Sequence, residues 1–144
     1  MILYTDTSAL IKRYIGEPGS ADVVAWMQAA DLIGLSIITR AEAGATFSRL
    51  HRLKIIDSTT AEQLLKEFRL HWPGYMRLRI NENLVTRAER LAWQYGLRGY
   101  DAVHLASAVI WQESLGETVT MMTYDRQLWE AAVLVGLHVL PQQL

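Results

Sequence analysis

The chain contains no cysteine. That excludes a disulfide scaffold, a thiolate zinc site and a cysteine nucleophile. Long apolar runs are missing too. The longest stretch without Asp, Glu, Lys or Arg is Ala131–Leu144, shorter than the roughly 20 residues a membrane span needs. Met1–Tyr4 leads towards Asp6 with neither a basic region nor a long apolar stretch, so no signal peptide is expected, and a soluble cytoplasmic protein is. There is no internal repeat, low-complexity segment, Walker motif or dinucleotide fingerprint, which removes the common nucleotide-binding classes. Gly16–Gly19 (GEPG) is turn chemistry and not a phosphate loop.

What is present is an ordinary globular composition: 144 residues, 51% hydrophobic and 20% charged. No linker divides it, so a single domain over 1–144 is expected, large enough for a real core. The 14 Lys+Arg and 15 Asp+Glu leave a formal net charge of −1, which seen alone argues against nucleic acid. The distribution says otherwise. Residues 40–98 carry eleven bases against six acids, whereas the two flanking segments are both acidic. Eleven of the fourteen bases are Arg, whose planar fork suits phosphate, although Arg also serves on solvated helix faces.

Hydrophobic periodicity supplies a coarse order of elements. Ile2–Thr5 reads as a first strand and Thr7–Tyr14 as a short helix. Ser20 is expected to cap a helix with an apolar stripe of Val23, Val24, Trp26, Met27 and Ala30. Leu32–Ile38 has a buried-strand pattern and runs into Thr39–Glu42 (TRAE), a capping-box match opening a helix to about Leu53. Thr59–Glu62 (TTAE) repeats that signature before a helix carrying Leu64, Leu65, Phe68 and Trp72 on one face. Tyr75–Ile80 alternates as a half-exposed strand. Asn81 or Asn83 opens a helix ended by Gly96, and Asp101–Leu115, apolar nearly all round, reads as a buried helix. Thr118–Tyr124 is a strand, Asp125–Val135 a helix and His138–Leu140 a last strand. Strands separated by helices imply a three-layer α/β/α sandwich with a mainly parallel central sheet.

Four acids stand out by position. Asp6, Glu42 and Asp125 each follow the carboxyl end of a strand, the edge where open α/β sheets bind ligands. Asp101 begins the buried helix. Singly, each has an ordinary reading as a cap or a complement to the helix dipole. Together they suggest one carboxylate cluster. Two like charges about 4 Å apart repel by roughly 4 kcal/mol at an effective dielectric near 20, so such a cluster must take up protons or a cation. All-oxygen donors suit Mg²⁺, with Mn²⁺ as an alternative, and not zinc or copper. Ions so held can activate water and clamp both oxygens of a phosphodiester in hydrolysis.

At these residues a family resemblance becomes legible. Tyr4–Tyr14 (YTDTSALIKRY) with Glu17–Ser20 (EPGS), Thr39–Glu42 (TRAE), Leu97–Ala108 (LRGYDAVHLASA) and Thr123–Leu128 (TYDRQL) resemble, in order, the four acidic motifs of PIN-domain proteins of the VapC toxin type. The match runs along essentially the whole chain. It implies a PIN-like fold with strand order 3-2-1-4-5 and a Mg²⁺-dependent endoribonuclease that leaves a 5′-phosphate and a 3′-hydroxyl. It also implies the toxin of a type II toxin–antitoxin pair, with a small antitoxin as partner and a homodimer as the usual assembly. Carried onto this sequence, Asp6 and Asp101 resemble the principal metal ligands, Asp125 joins them directly or through water, and Glu42 holds a second ion or orients the water. Ser8 and Thr123 match positions that hydrogen-bond the acids.

Two other readings compete. One is a catalytically silent PIN interaction module. The other is a Mg²⁺-binding receiver-like signalling module, which needs an Asp at the end of its third strand; that strand here ends Ile80-Asn81. His104, on an apolar helix, is expected to be a hydrogen-bonded core histidine. His51, His71 and His138 have no partner at metal-ligand spacing. Lys12 and Arg13 are candidates for phosphate contacts or plain surface charges. Trp26, Phe68, Trp72, Trp93, Trp111 and Trp129 read as core or interface.

Overall fold

A computed structural model describes residues 1–144. The first strand, β1 (Ile2–Thr5), leads through Asp6 into α1 (Thr7–Ile11), then α2 (Ser20–Ala29) and β2 (Leu32–Ser36). Two fourteen-residue helices follow, α3 (Thr39–Arg52) and α4 (Ser58–His71). A short 3₁₀ turn at Trp72–Gly74 precedes β3 (Met76–Leu78). The rest of the chain forms α5 (Glu82–Tyr95), α6 (Gly99–Leu115), β4 (Val119–Met122), α7 (Arg126–Leu134) and β5 (His138–Leu140).

All strand pairs are parallel, in the order β3-β2-β1-β4-β5. β1 therefore lies between β2 and β4, and the strand order reverses at the β1–β4 boundary. In such sheets the crevice beyond the carboxyl ends at that boundary is the ligand site. Asp6 and Thr123 emerge from those two strands, side by side.

The pleat sends neighbouring side chains into two separate cores. Tyr4 and Met121 join Leu105, Trp111 and Leu128 under α5, α6 and α7. Leu3 and Met122 join Leu35, Phe47 and Phe68 under α1 to α4. Each fully buried side chain of this size contributes roughly 1.5–3 kcal/mol. β1 is covered on both faces, which is why it reads as a continuous apolar run. Gly34 of β2 lets Trp111 approach: a Cβ there would meet the indole at 2.3 Å.

Several boundaries differ from expectation, each for a local reason. α1 stops at Ile11 instead of Tyr14. Gly19 caps α2 in a left-handed conformation (φ 90°), so Ser20 is the first helical residue and its hydroxyl turns back to the Ile15 carbonyl. Neither TRAE nor TTAE forms a capping box. α3 starts behind Ile38 with no side-chain cap, and α4 is capped by Asp57, which accepts from the Thr60 N–H at 2.7 Å. The strands are trimmed to Leu32–Ser36, Met76–Leu78 and Val119–Met122. Asn81, not Asn83, caps α5. α6 starts two residues earlier than expected, at Gly99. No helix is long and apolar enough to cross a membrane.

Candidate active site

Asp6 is the N-cap of α1, its extended backbone (φ −81°, ψ 176°) aiming the carboxylate at the helix start. One oxygen accepts the Ala9 N–H at 2.9 Å. The Ser8 hydroxyl reaches both oxygens, at 2.9 and 2.8 Å, and Thr123 Oγ1 donates to Oδ2 at 2.8 Å. The residue is only 4% exposed and its hydrogen-bond donors are all neutral. Burial pushes its carboxyl above the usual aspartate range, against the nearby His104 and these hydrogen bonds.

Thr123 links this acid to the next. Its Oγ1 accepts the Asp125 N–H at 3.1 Å, and Asp125 caps α7 by accepting the Leu128 N–H at 2.9 Å. Ser8 makes a parallel link by accepting the Tyr124 N–H at 3.0 Å. Asp101 lies in the first turn of α6. Arg98, the residue preceding that helix, joins the pair: its Nε donates to Asp101 Oδ2 at 2.8 Å and its Nη2 to Asp125 Oδ2 at 3.0 Å. The arginine side chain itself is 74% exposed.

Glu42, in the first turn of α3, turns away from its helix end. It accepts from the Thr7 hydroxyl and lies 2.8 Å from His104 Nε2. His104 is buried, and its Nδ1 lies 2.9 Å from the Tyr4 hydroxyl. Burial raises the Tyr4 pKa strongly, so the phenol keeps its proton beside Nδ1. The imidazole donates from Nε2 to the Glu42 carboxylate. Burial alone would raise the Glu42 carboxyl; the His104 hydrogen bond and charge, with Thr7, outweigh it and hold the group below its ordinary range.

This geometry sits in a chain whose residues 3–134 match the family model for the PIN domain. The chain belongs to the PIN-domain family. Ribonuclease VapC45 of Mycobacterium tuberculosis is 30% identical to it over 147 residues, covering 99% of this chain and 97% of that protein. Ribonuclease VapC47 of the same organism is 27% identical, covering 94% and 93%. Among solved structures, FitAcB from Neisseria gonorrhoeae superimposes with a TM-score of 0.67 at 20% identity, covering 96% of each chain. A toxin–antitoxin complex from Klebsiella pneumoniae gives 0.63 at 19%, covering 87% of each.

The PIN fold thus brings all four acids to one end of the sheet, but not into one cluster. Asp6 is held by hydroxyls, Asp101 and Asp125 share Arg98, and Glu42 is held by His104 and Thr7. As they stand, no three Asp, Glu or His side chains converge closely enough to hold one metal ion. The donor set still fits a hard divalent cation: the acids offer oxygen only, and two of them already share one positive group. Ser8 and Thr123 contact Asp6 as expected. His104 is the expected hydrogen-bonded core histidine, here joined to Glu42.

Beside the acids runs an open groove of about 620 Å³ between α5 and α6, lined by Glu42, Arg98, Asp101, Val85, Ala88 and Tyr100 among others. Lys12 is not free for phosphate: it pairs with Glu17 at 2.9 Å, donates to the Pro18 carbonyl and lies 4.4 Å over the Tyr124 ring. Trp93 departs from the other aromatics, being 92% exposed on α5. Sequence reasoning passed over Arg98 and Thr7. The i,i+3 spacing of Arg98 and Asp101 was a usable signal; nothing in the sequence marks the contact of Thr7 with a residue 35 positions away.

Proposed function

We propose that this PIN domain is a Mg²⁺-dependent endoribonuclease, the toxin of a toxin–antitoxin pair. The observation that carries the reading is the delivery of Asp6, Glu42, Asp101 and Asp125 from four separate elements to the carboxyl edge where β1 meets β4. The VapC relatives bear the name ribonuclease over nearly the full length of this chain, which supports the substrate class.

Asp6, Asp101 and Asp125 would hold the cation, and Glu42 would hold a second one or orient the attacking water. Bound there, Mg²⁺ supplies Lewis-acid stabilisation of charge developing on a phosphate. Ser8 and Thr123 fix the Asp6 carboxylate before any ligand arrives, so its orientation costs nothing at the moment of reaction. His104 keeps Glu42 ionised and therefore able to accept a proton from water. Ten of the eleven bases of residues 40–98 are exposed and offer contacts to the phosphate backbone. The products would carry a 5′-phosphate and a 3′-hydroxyl. In the cytoplasm, a small antitoxin would cover the site of a homodimer; the antitoxin finds support in the Klebsiella pneumoniae neighbour, solved as a toxin–antitoxin complex.

The test is to map RNA 5′ ends in cells expressing the chain and in cells expressing Asp101→Asn. Discrete new 5′-phosphate ends with the parent chain alone are expected. Identical maps for the two would overturn the assignment and favour a silent interaction module.

A further inference from the structure

Arg98 has a position that stability does not explain. Its side chain is 74% exposed, yet its fork spans two carboxylates from different helices, at 2.8 Å to Asp101 and 3.0 Å to Asp125. Ion pairs whose cationic end is this exposed contribute little to folding, although the two carboxylates are only 14% and 26% exposed. One guanidinium also leaves the two acids with an uncompensated negative charge, which a divalent cation would balance. As the side chains stand, no three acidic or imidazole groups converge on one point. The same arginine lines the groove beside Glu42 and Asp101.

We infer that Arg98 is a placeholder cation: it occupies the seat between Asp101 and Asp125, and a divalent ion binds by exchange with it. Displaced, the guanidinium stays at the rim of the groove, where it meets the phosphate of a bound RNA. The inference rests on the metal-dependent reading above and adds a residue to it. Binding of the ion and exposure of a phosphate-binding fork become one event, so RNA contact through Arg98 is coupled to metal loading.

Equilibrium titration with Mn²⁺ alone, followed by the electron paramagnetic resonance of the free ion, tests this on the purified chain. Arg98→Ala should bind Mn²⁺ about three- to tenfold more tightly than the parent, the range that two exposed ion pairs supply. Arg98→Lys is the discriminating variant. It keeps the charge but cannot span both acids, so it too should bind more tightly. A gain confined to Arg98→Ala would mean net charge alone is at work and would overturn the exchange, as would unchanged or weaker binding in both variants. Arg98→Gln serves if circular dichroism shows that Arg98→Ala does not fold. Asp101→Asn should lose binding in every background. Absence of Mn²⁺ binding by all chains, the parent included, would defeat the metal reading itself and the exchange with it. Parent binding without a gain defeats only the exchange.

Discussion

The imidazole of His104 lies 2.8 Å from the Glu42 carboxylate, and Tyr4 holds its other nitrogen at 2.9 Å. A chain of hydrogen bonds thus runs from the core to the sheet edge and sets both the charge and the direction of Glu42. His104→Leu would strand the Tyr4 hydroxyl in the core and remove the donor to Glu42. Leaving a buried polar group unpaired costs about 1–3 kcal/mol. Urea denaturation should show that loss. Holding Glu42 below its ordinary range adds stability that is present above that range and lost as pH falls through the lowered value, so the variant's deficit should shrink on acidification. His104→Gln, which can still donate to Glu42, should recover part of the RNA cleavage rate that His104→Leu loses.

Asp6 carries the opposite sign. Its carboxyl is raised by burial, so the native state holds the proton more tightly than the unfolded chain does. Stability of the metal-free protein therefore falls as pH rises through the raised value. Asp6→Asn removes that penalty, and the Ser8 and Thr123 hydroxyls can turn to accept from an amide. Its melting temperature without metal should exceed the parent's at pH 7, and the gap should close towards pH 4. About 1 kcal/mol would appear as roughly 4 °C in a chain of this size. A gap that widens on acidification would contradict an Asp6 carboxyl raised by burial.

The join between the sheet and α6 can be tested at Gly34. An alanine Cβ would stand 2.3 Å from the Trp111 ring, a rigid group with no free end to yield. Gly34→Ala should lose about 1–3 kcal/mol or more by overpacking. Gly34→Ala with Trp111→Leu should recover part of the loss in chemical denaturation, a coupling that additive effects would not give.

RNA binding should depend steeply on salt, because the exposed bases of residues 40–98 are its expected phosphate contacts. With Asp101→Asn to prevent cleavage, log affinity against log salt should be linear, with a slope of about −0.7 for each phosphate neutralised on a single strand. Filter binding between low and physiological salt measures it. A flat line would remove the middle segment from the interface.

Much of this molecule was legible in its residue order. Parallel β1 and β4 announce themselves because strands covered on both faces must be apolar throughout. Asp6 and Asp125 declare themselves because a cap must follow the strand and precede the helix. The net charge of −1 misled until it was divided along the chain, since acids that gather at the sheet edge cancel bases spread over the middle. What escaped the sequence was long-range. TRAE matches a capping box, yet Glu42 finds His104 from a distant helix and leaves the box unmade. Arg98 sits in the most recognisable motif, but only the placement of α7 brings Asp125 to its free nitrogen. Trp93 looks like its buried counterparts because one indole on a helix carries no record of which face it takes.

Whether the acids gathered at the β1–β4 edge cleave RNA is decided by the cleavage rate of purified Asp6→Asn on an RNA that the parent chain cuts, in Mg²⁺ and at matched purity. A loss of about 100-fold or more is expected, with an unchanged circular dichroism spectrum and a melting temperature no lower than the parent's. Cleavage at the parental rate would rule out these acids as the catalytic site.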